Sequence, residues 1–171
     1  MTISIHLSDK DIFGTDQRSS GEPYCTARVF LFNTEGKLAV LYQEKVDYYS
    51  FPGGKIEEGE TGSQAACREV LEETGYRCTV DAELCRIEEN RGSIDSVVHS
   101  TFYIAHAVAD TGELHLTERE IRAKTRCHGW FTLEEAKKLI LQSSTSAPLG
   151  RYLQARDLLA LAELEKTFLP C

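Results

Sequence analysis

The sequence predicts a mixed α/β architecture, an α/β/α sandwich or an α+β arrangement built on a mixed β-sheet. Three observations carry this. Runs rich in β-branched and aromatic residues, such as YCTARVFLFN at 24–33 and SVVHSTFYIAHAVA at 96–109, read as strands. Helical segments fall among them without a regular strand–helix–strand rhythm, which argues against a purely parallel sheet. The chain has 171 residues, 42% hydrophobic and 27% charged. That is enough for a single domain spanning 1–171 with a real core.

In chain order, residues 1–23 are weakly patterned and polar, and are expected to form a loosely structured N-terminal arm or a short edge strand. Tyr24–Asn33 and Lys37–Gln43 are strands joined by the turn Thr34-Glu35-Gly36, a hairpin. The short aromatic segment Tyr48–Phe51 stops at Pro52-Gly53-Gly54, a strong breaker. A helix follows over about Thr61–Thr74, closed by Gly75. Tyr76–Glu88 and Ser96–Ala109 are strands flanking a turn at Asn90–Asp95. Asp110–Arg126 is polar and is expected to be mostly loop, and His128–Phe131 is a short strand. Thr132, with Glu135 three residues on, caps a helix. After a linker at Ser143–Pro148, a C-terminal helix occupies 147–167, amphipathic over Arg151–Lys166.

Bulk properties exclude several classes. No apolar run is long enough to span a membrane. Met1–Asp11 has neither the basic start nor the apolar stretch of a secretory signal, so the expected compartment is the cytoplasm. A net charge of -8 with scattered Lys and Arg argues against binding long nucleic acid. Six cysteines (Cys25, Cys67, Cys78, Cys85, Cys127, Cys171) include no C-x-x-C pair and read as mostly small buried hydrophobes.

The chemistry lies in GKIEEGETGSQAACREVLEETGY, Gly54–Tyr76. At about 100° per residue, Glu69, Glu72 and Glu73 share one side of the helix, while Cys67, Val70, Leu71 and Thr74 lie on the other. Like charges three and four apart cost about 0.2–0.5 kcal/mol per pair. Acids in the last turn also oppose the helix dipole. A bound hard cation, Mg²⁺, Mn²⁺ or Ca²⁺, would reverse that repulsion, because clustered carboxylates are its natural ligands. The alternative is a solvated helix face carrying an Arg68–Glu72 ion pair. The glycine loop Phe51-Pro52-Gly53-Gly54 just before the helix favours the cation, since it lets backbone approach a metal or phosphate closely.

These residues resemble the Nudix signature, G-x5-E-x7-R-E-U-x-E-E-x-G-U with U a bulky aliphatic residue. Gly54, Glu60, Arg68, Glu69, Val70, Glu72, Glu73 and Gly75 stand at the matching places, and Tyr76 at the last U is the one departure. With the strand order and the Trp130–Ala136 segment, the likeness runs from about Tyr24 to Ile140. It implies a Nudix-type α/β/α sandwich in which Glu69 and Glu73 bind Mg²⁺ (or Mn²⁺). Glu72 and the Gly54 carbonyl would complete the site, and a Glu60–Arg68 pair would orient the helix. A catalytic carboxylate from the same helix, or from a later segment with Glu118 and Glu120 as candidates, would take a proton from water.

The implied activity is metal-dependent hydrolysis of a phosphoanhydride in a nucleoside diphosphate linked to another moiety. Tyr49, Phe51, Gly53 and Lys55 are the candidate substrate contacts. Tyr48 could also stack on a base, and Lys45, Arg91, Arg119 and Arg122 could meet phosphate. The partner is a small nucleotide, and relatives of this kind often form homodimers. Two other functions stay open. One is a catalytically silent nucleotide-binding module, which intact carboxylates argue against. The other is a prenyl diphosphate isomerase, which the absence of a cysteine-rich site argues against. A panel of nucleotides and nucleotide sugars assayed with Mg²⁺ separates them.

Overall fold

Side-chain alternation along the second strand decides the layers. In β2 (Tyr24–Phe32), Ala27, Val29 and Leu31 face one way while Phe30 and Phe32 face the other, and all are buried. A strand apolar on both faces must be covered on both. The first set packs with Ala65, Ala66 and Val70 of α2 (Gly62–Thr74). The second joins Phe51, Phe102, Ile87 and residues of α4 (Leu133–Gln142) and α5 (Pro148–Thr167), among them Ile140, Leu161 and Leu164. The result is a three-layer α/β/α sandwich. The coordinates, a computed structural model, describe residues 2–168. Cys171 lies outside them.

The remaining strands are β1 (Ile3–Ser8), β3 (Leu38–Gln43), β4 (Tyr48–Ser50), β5 (Gly53–Lys55), β6 (Tyr76–Arg91), β7 (Ser96–Asp110) and β8 (Thr125–Phe131). The sheet runs β1-β6-β7-β2-β3-β4, with β5 paired to β2 and β8 to β3. It is mixed: β1/β6 and β2/β7 are parallel, and the other pairs are antiparallel.

Four local expectations change. The N-terminal segment takes the second of its two expected forms, an edge strand, here followed by the short helix α1 (Asp9–Phe13), and the loose-arm alternative falls. Ile3, Ile5 and Leu7 alternate, so β1 can add to β6 over six register pairs and bury Leu7. Buried Asp9 then accepts from the Ser93 N–H at 2.9 Å and from Tyr152 Oη. Pro52-Gly53-Gly54 does not simply break the chain, because Gly53–Lys55 continues as β5 against β2. Within the polar stretch 110–126, Thr117 caps the helix α3 (Glu118–Ala123), with Glu120 as its reciprocal partner. The described cysteines are more accessible than expected: among them only Cys85 is buried, Cys25 is exposed, and Cys67, Cys78 and Cys127 are half-buried.

Candidate metal centre

Helix α2 starts with a capping box, Thr61 with Gln64, and ends at Gly75 in the left-handed conformation (φ 75°), where glycine carries no Cβ penalty. Residues four apart stack along a helix, so Ala65, Glu69 and Glu73 form one strip and Ala66, Val70 and Thr74 the next. The apolar strip meets the sheet. The acidic strip meets β5, so Glu69 and Glu73 are 7% and 5% exposed rather than open to solvent. Sequence periodicity places these acids on one side, but it does not reveal that a second strand covers them.

Two glycines make that cover possible. At Gly53 (φ 142°) a Cβ would sit 2.1 Å from the Ala27 carbonyl oxygen. At Gly54 it would sit 2.3 Å from Glu69 Oε1. Only glycine lets β5 approach β2 and the carboxylate this closely. The Gly53 N–H donates to Glu73 Oε2 at 2.7 Å.

The third acid comes from another element. The segment after β7 is tied to the end of α2: the Thr111 N–H donates to the Gly75 carbonyl and the His115 N–H to the Glu72 carbonyl, both at 2.9 Å. This carries α3 back over the helix terminus. Glu69, Glu73 and Glu120 each offer a carboxylate oxygen, and the three atoms lie within 4.8 Å of one another. Thr117 donates to Glu120 Oε2 from its N–H and its hydroxyl. Glu118 is exposed and outside this group.

Glu72 is also outside the group. It lies one strip over and accepts from Arg68 Nη1 at 3.4 Å. Arg68 forks onto Glu60 through Nε and Nη2, both at 2.9 Å, and reaches Glu69 Oε1 at 2.7 Å and the Lys55 carbonyl at 3.0 Å. These bonds hold the Glu60 carboxyl below its ordinary range and raise the Arg68 guanidinium.

Electrostatics mark the cluster. Burial pushes the Glu73 carboxyl well above the ordinary range; Arg28 opposes this, Glu69 adds to it, the Gly53 N–H opposes it and Glu120 adds to it. Burial likewise raises Glu69, against the pull of Arg68 and with Glu72 and Glu120 adding. Each buried acid favours a bound proton or a cation over a bare charge. Three hard oxygens at this spacing, set against a glycine floor, fit Mg²⁺ or Mn²⁺.

Arg28 is the component that the sequence reading missed. It is half-buried on β2 and donates from Nη1 to the Gly53 carbonyl at 2.7 Å and from Nη2 to the Phe51 carbonyl at 2.8 Å. It thus clamps the glycine strand whose N–H holds Glu73. The signal was a lone arginine inside the apolar run YCTARVFLF.

Among the candidate substrate contacts, Phe51 is fully buried edge-on against Phe30, 4.7 Å between centroids, and is a core residue. Its place on the inward register after β4 gives it no solvent face. Tyr49 is half-buried and packs with half-buried Tyr42 (4.5 Å) and exposed His128 (5.2 Å). Lys55 is exposed, its Nζ 5.8 Å from the Tyr24 ring centroid. Tyr48 is buried, and Arg91 is buried in an ion pair with Glu89 at 2.9 Å, so neither faces substrate. Trp130 meets Tyr76 edge-on at 5.2 Å, so the one departure from the signature packs on the core as an aliphatic residue would.

Comparisons with known proteins bear on the fold and the family. The chain is 34% identical over 58 residues to the "Putative 8-oxo-dGTP diphosphatase" of Bacillus subtilis, a stretch covering 34% of this chain and 39% of that protein. It is 39% identical over 51 residues to the "8-oxo-(d)GTP phosphatase" of Mycolicibacterium smegmatis, covering 30% of this chain and 16% of that one. The chain therefore aligns with well under half of each relative. In fold it is similar to a NUDIX hydrolase from Nitrosomonas europaea, with a TM-score of 0.65 and 16% identity over 85% of this chain and 90% of the other. Residues 25–152 match the NUDIX domain, and the chain belongs to that family.

Proposed function

We propose that this chain is a metal-dependent hydrolase that cleaves a phosphoanhydride bond in a nucleoside diphosphate linked to a further group. Nucleoside triphosphates are the first class to test, because the two relatives above carry names of that kind. The observation that carries the reading is the convergence of Glu69, Glu73 and Glu120, drawn from two helices onto one buried point. Glu69, Glu73 and Glu120 would hold Mg²⁺ or Mn²⁺, with Glu72 beside them. The bound ion supplies charge neutralisation for the pyrophosphate and lowers the pKa of a water.

The chain's own residues do the rest. Arg68, locked to Glu60 and to the Lys55 carbonyl, fixes the side chain of Glu69. Arg28 fixes the glycine strand, and through the Gly53 N–H it fixes Glu73. Thr117 engages Glu120 Oε2 and so holds this third carboxylate against Glu69 and Glu73. Lys55, whose carbonyl is held by Arg68, remains a candidate contact to the phosphate chain, whereas Tyr49 packs on the α4/α5 side of the sheet, away from the acids.

The test is a product assay on nucleoside triphosphates (oxidised guanine forms included), nucleotide sugars and dinucleoside polyphosphates, with Mg²⁺ titrated from zero. Metal-dependent release of a nucleoside monophosphate from at least one class is expected. Tight binding without product from any substrate would instead identify a silent nucleotide-binding module.

A further inference from the structure

Two cysteines face each other on the side of α2 away from the carboxylates. Cys67, on the helix, and Cys78, near the start of β6, have sulfur atoms 3.7 Å apart and are separated by 11 positions in sequence. Both are free and half-buried. They line one open depression of about 340 Å³ together with Arg68, Leu71 and Arg77. Proximity and access thus coincide: the sulfurs are already in contact, and a small oxidant can reach them from solvent. Neither holds for Cys85, which is buried, and Cys25 is exposed without a partner thiol among the described residues.

We propose that Cys67 and Cys78 are a reversible oxidation site, converted by a peroxide into an intrachain disulfide that ties the carboxylate-bearing helix to the sheet. Peroxide transfers one oxygen to the Cys67 sulfur, giving a sulfenic acid and one water. The Cys78 sulfur then attacks the Cys67 sulfur. The S–S bond forms, the S–O bond breaks, and the Cys67 hydroxyl leaves with the Cys78 proton as a second water. Two thiols are oxidised by two electrons and one peroxide is reduced. Burial, with the facing Cys67 sulfur, pushes the Cys78 thiol up to about 12, which disfavours Cys78 as the first nucleophile toward peroxide. Closing the contact from 3.7 Å to the covalent length of about 2.05 Å is the movement the disulfide requires.

The test treats the reduced full-length chain with stepwise hydrogen peroxide, alkylates remaining thiols and maps tryptic peptides without reduction. Cleavage after Arg68 and Arg77 separates the two cysteines, so the expected product is a linked peptide pair lighter by two hydrogens. It should reverse with dithiothreitol and be absent from Cys67→Ser and Cys78→Ser. Fragmentation assigns the link to Cys78 and not to Cys85 in the same peptide. The oxidised chain should melt several degrees above the reduced one, because the link restricts the unfolded state. Oxidation confined to Cys25, with Cys67 and Cys78 still alkylated, would overturn the proposal. A linked pair with an unchanged or lowered midpoint would overturn the claim that the geometry is preformed. The peptide map on the unmutated chain needs no variant to fold and does not depend on the hydrolase reading.

Discussion

Charge is buried on both sides of the sheet, and the two sides handle it differently. Under α5, buried acids each have a donor for one oxygen at least, although Asp157 Oδ2 and Glu163 Oε2 have no hydrogen-bond partner among the described residues. Glu89 takes a fork from Arg91 Nη2 at 2.9 Å to each oxygen, Asp157 pairs with Arg156 at 2.7 Å, and Asp9 accepts from Ser93 and Tyr152. Under α2, acids crowd one another. Glu69, Glu73 and Glu120 converge, Glu72 and Glu60 stand beside them, Arg68 is the only arginine bonded to the group among the described residues, and Arg28 acts on Glu73 through its charge. Buried charge alone therefore does not mark a functional site. The α5 side holds structural pairs, whose Coulomb gain offsets their desolvation. The α2 side is left with an excess that an external cation would balance.

Substitution should separate the two sides most widely. Glu73→Gln removes a buried acid that lacks a full partner. It is expected to lower turnover by roughly two to three orders of magnitude, the scale of one preorganised charge-stabilising group, while the fold persists. Glu89→Gln strands Arg91, and is expected to cost about 3–5 kcal/mol of stability with no specific change in metal dependence. Urea unfolding and a metal titration on both variants check this. If Glu73→Gln unfolds the chain while Glu89→Gln alters metal response, the assignment is reversed.

A smaller effect appears in the pH dependence of the metal-free protein. Glu73 and Glu69 are raised in the folded state, so above the ordinary carboxylate value of about 4.5 the folded chain binds more protons than the unfolded one. Stability from these groups is intact below that value and is lost as pH rises toward their folded values. The midpoint gap between Glu73→Gln and wild type should therefore open with rising pH, in favour of the variant, and Mg²⁺ should close it. Melting curves from pH 4.5 to 8 with and without Mg²⁺ measure the gap. A gap that stays flat would mean that Glu73 is not desolvated as described.

The layers of the fold were legible in the sequence, because alternation in β2 and the caps of α2 and α4 are local signals. The signature acids were legible for the same reason: Glu69 and Glu73 stand four apart on one helix. What could not be read depends on distant contacts. Glu118 and Glu120 were both candidates, and which of them approaches the cluster depends on hydrogen bonds from Thr111 and His115 to the end of α2, pairings of segments far apart in sequence. Arg28 acts on a strand more than 20 residues away. Phe51 and Lys55 flank the same glycines, and only the pairing of β5 with β2 turns one into the core and the other out to solvent.

The central claim, that the acids of α2 and α3 form a cation site, is tested most directly by anomalous diffraction from crystals soaked in Mn²⁺. The account predicts a manganese peak bounded by the carboxylates of Glu69, Glu73 and Glu120, and its loss in Glu73→Gln. Manganese bound elsewhere, with these three side chains unengaged in a well-ordered crystal, would contradict it.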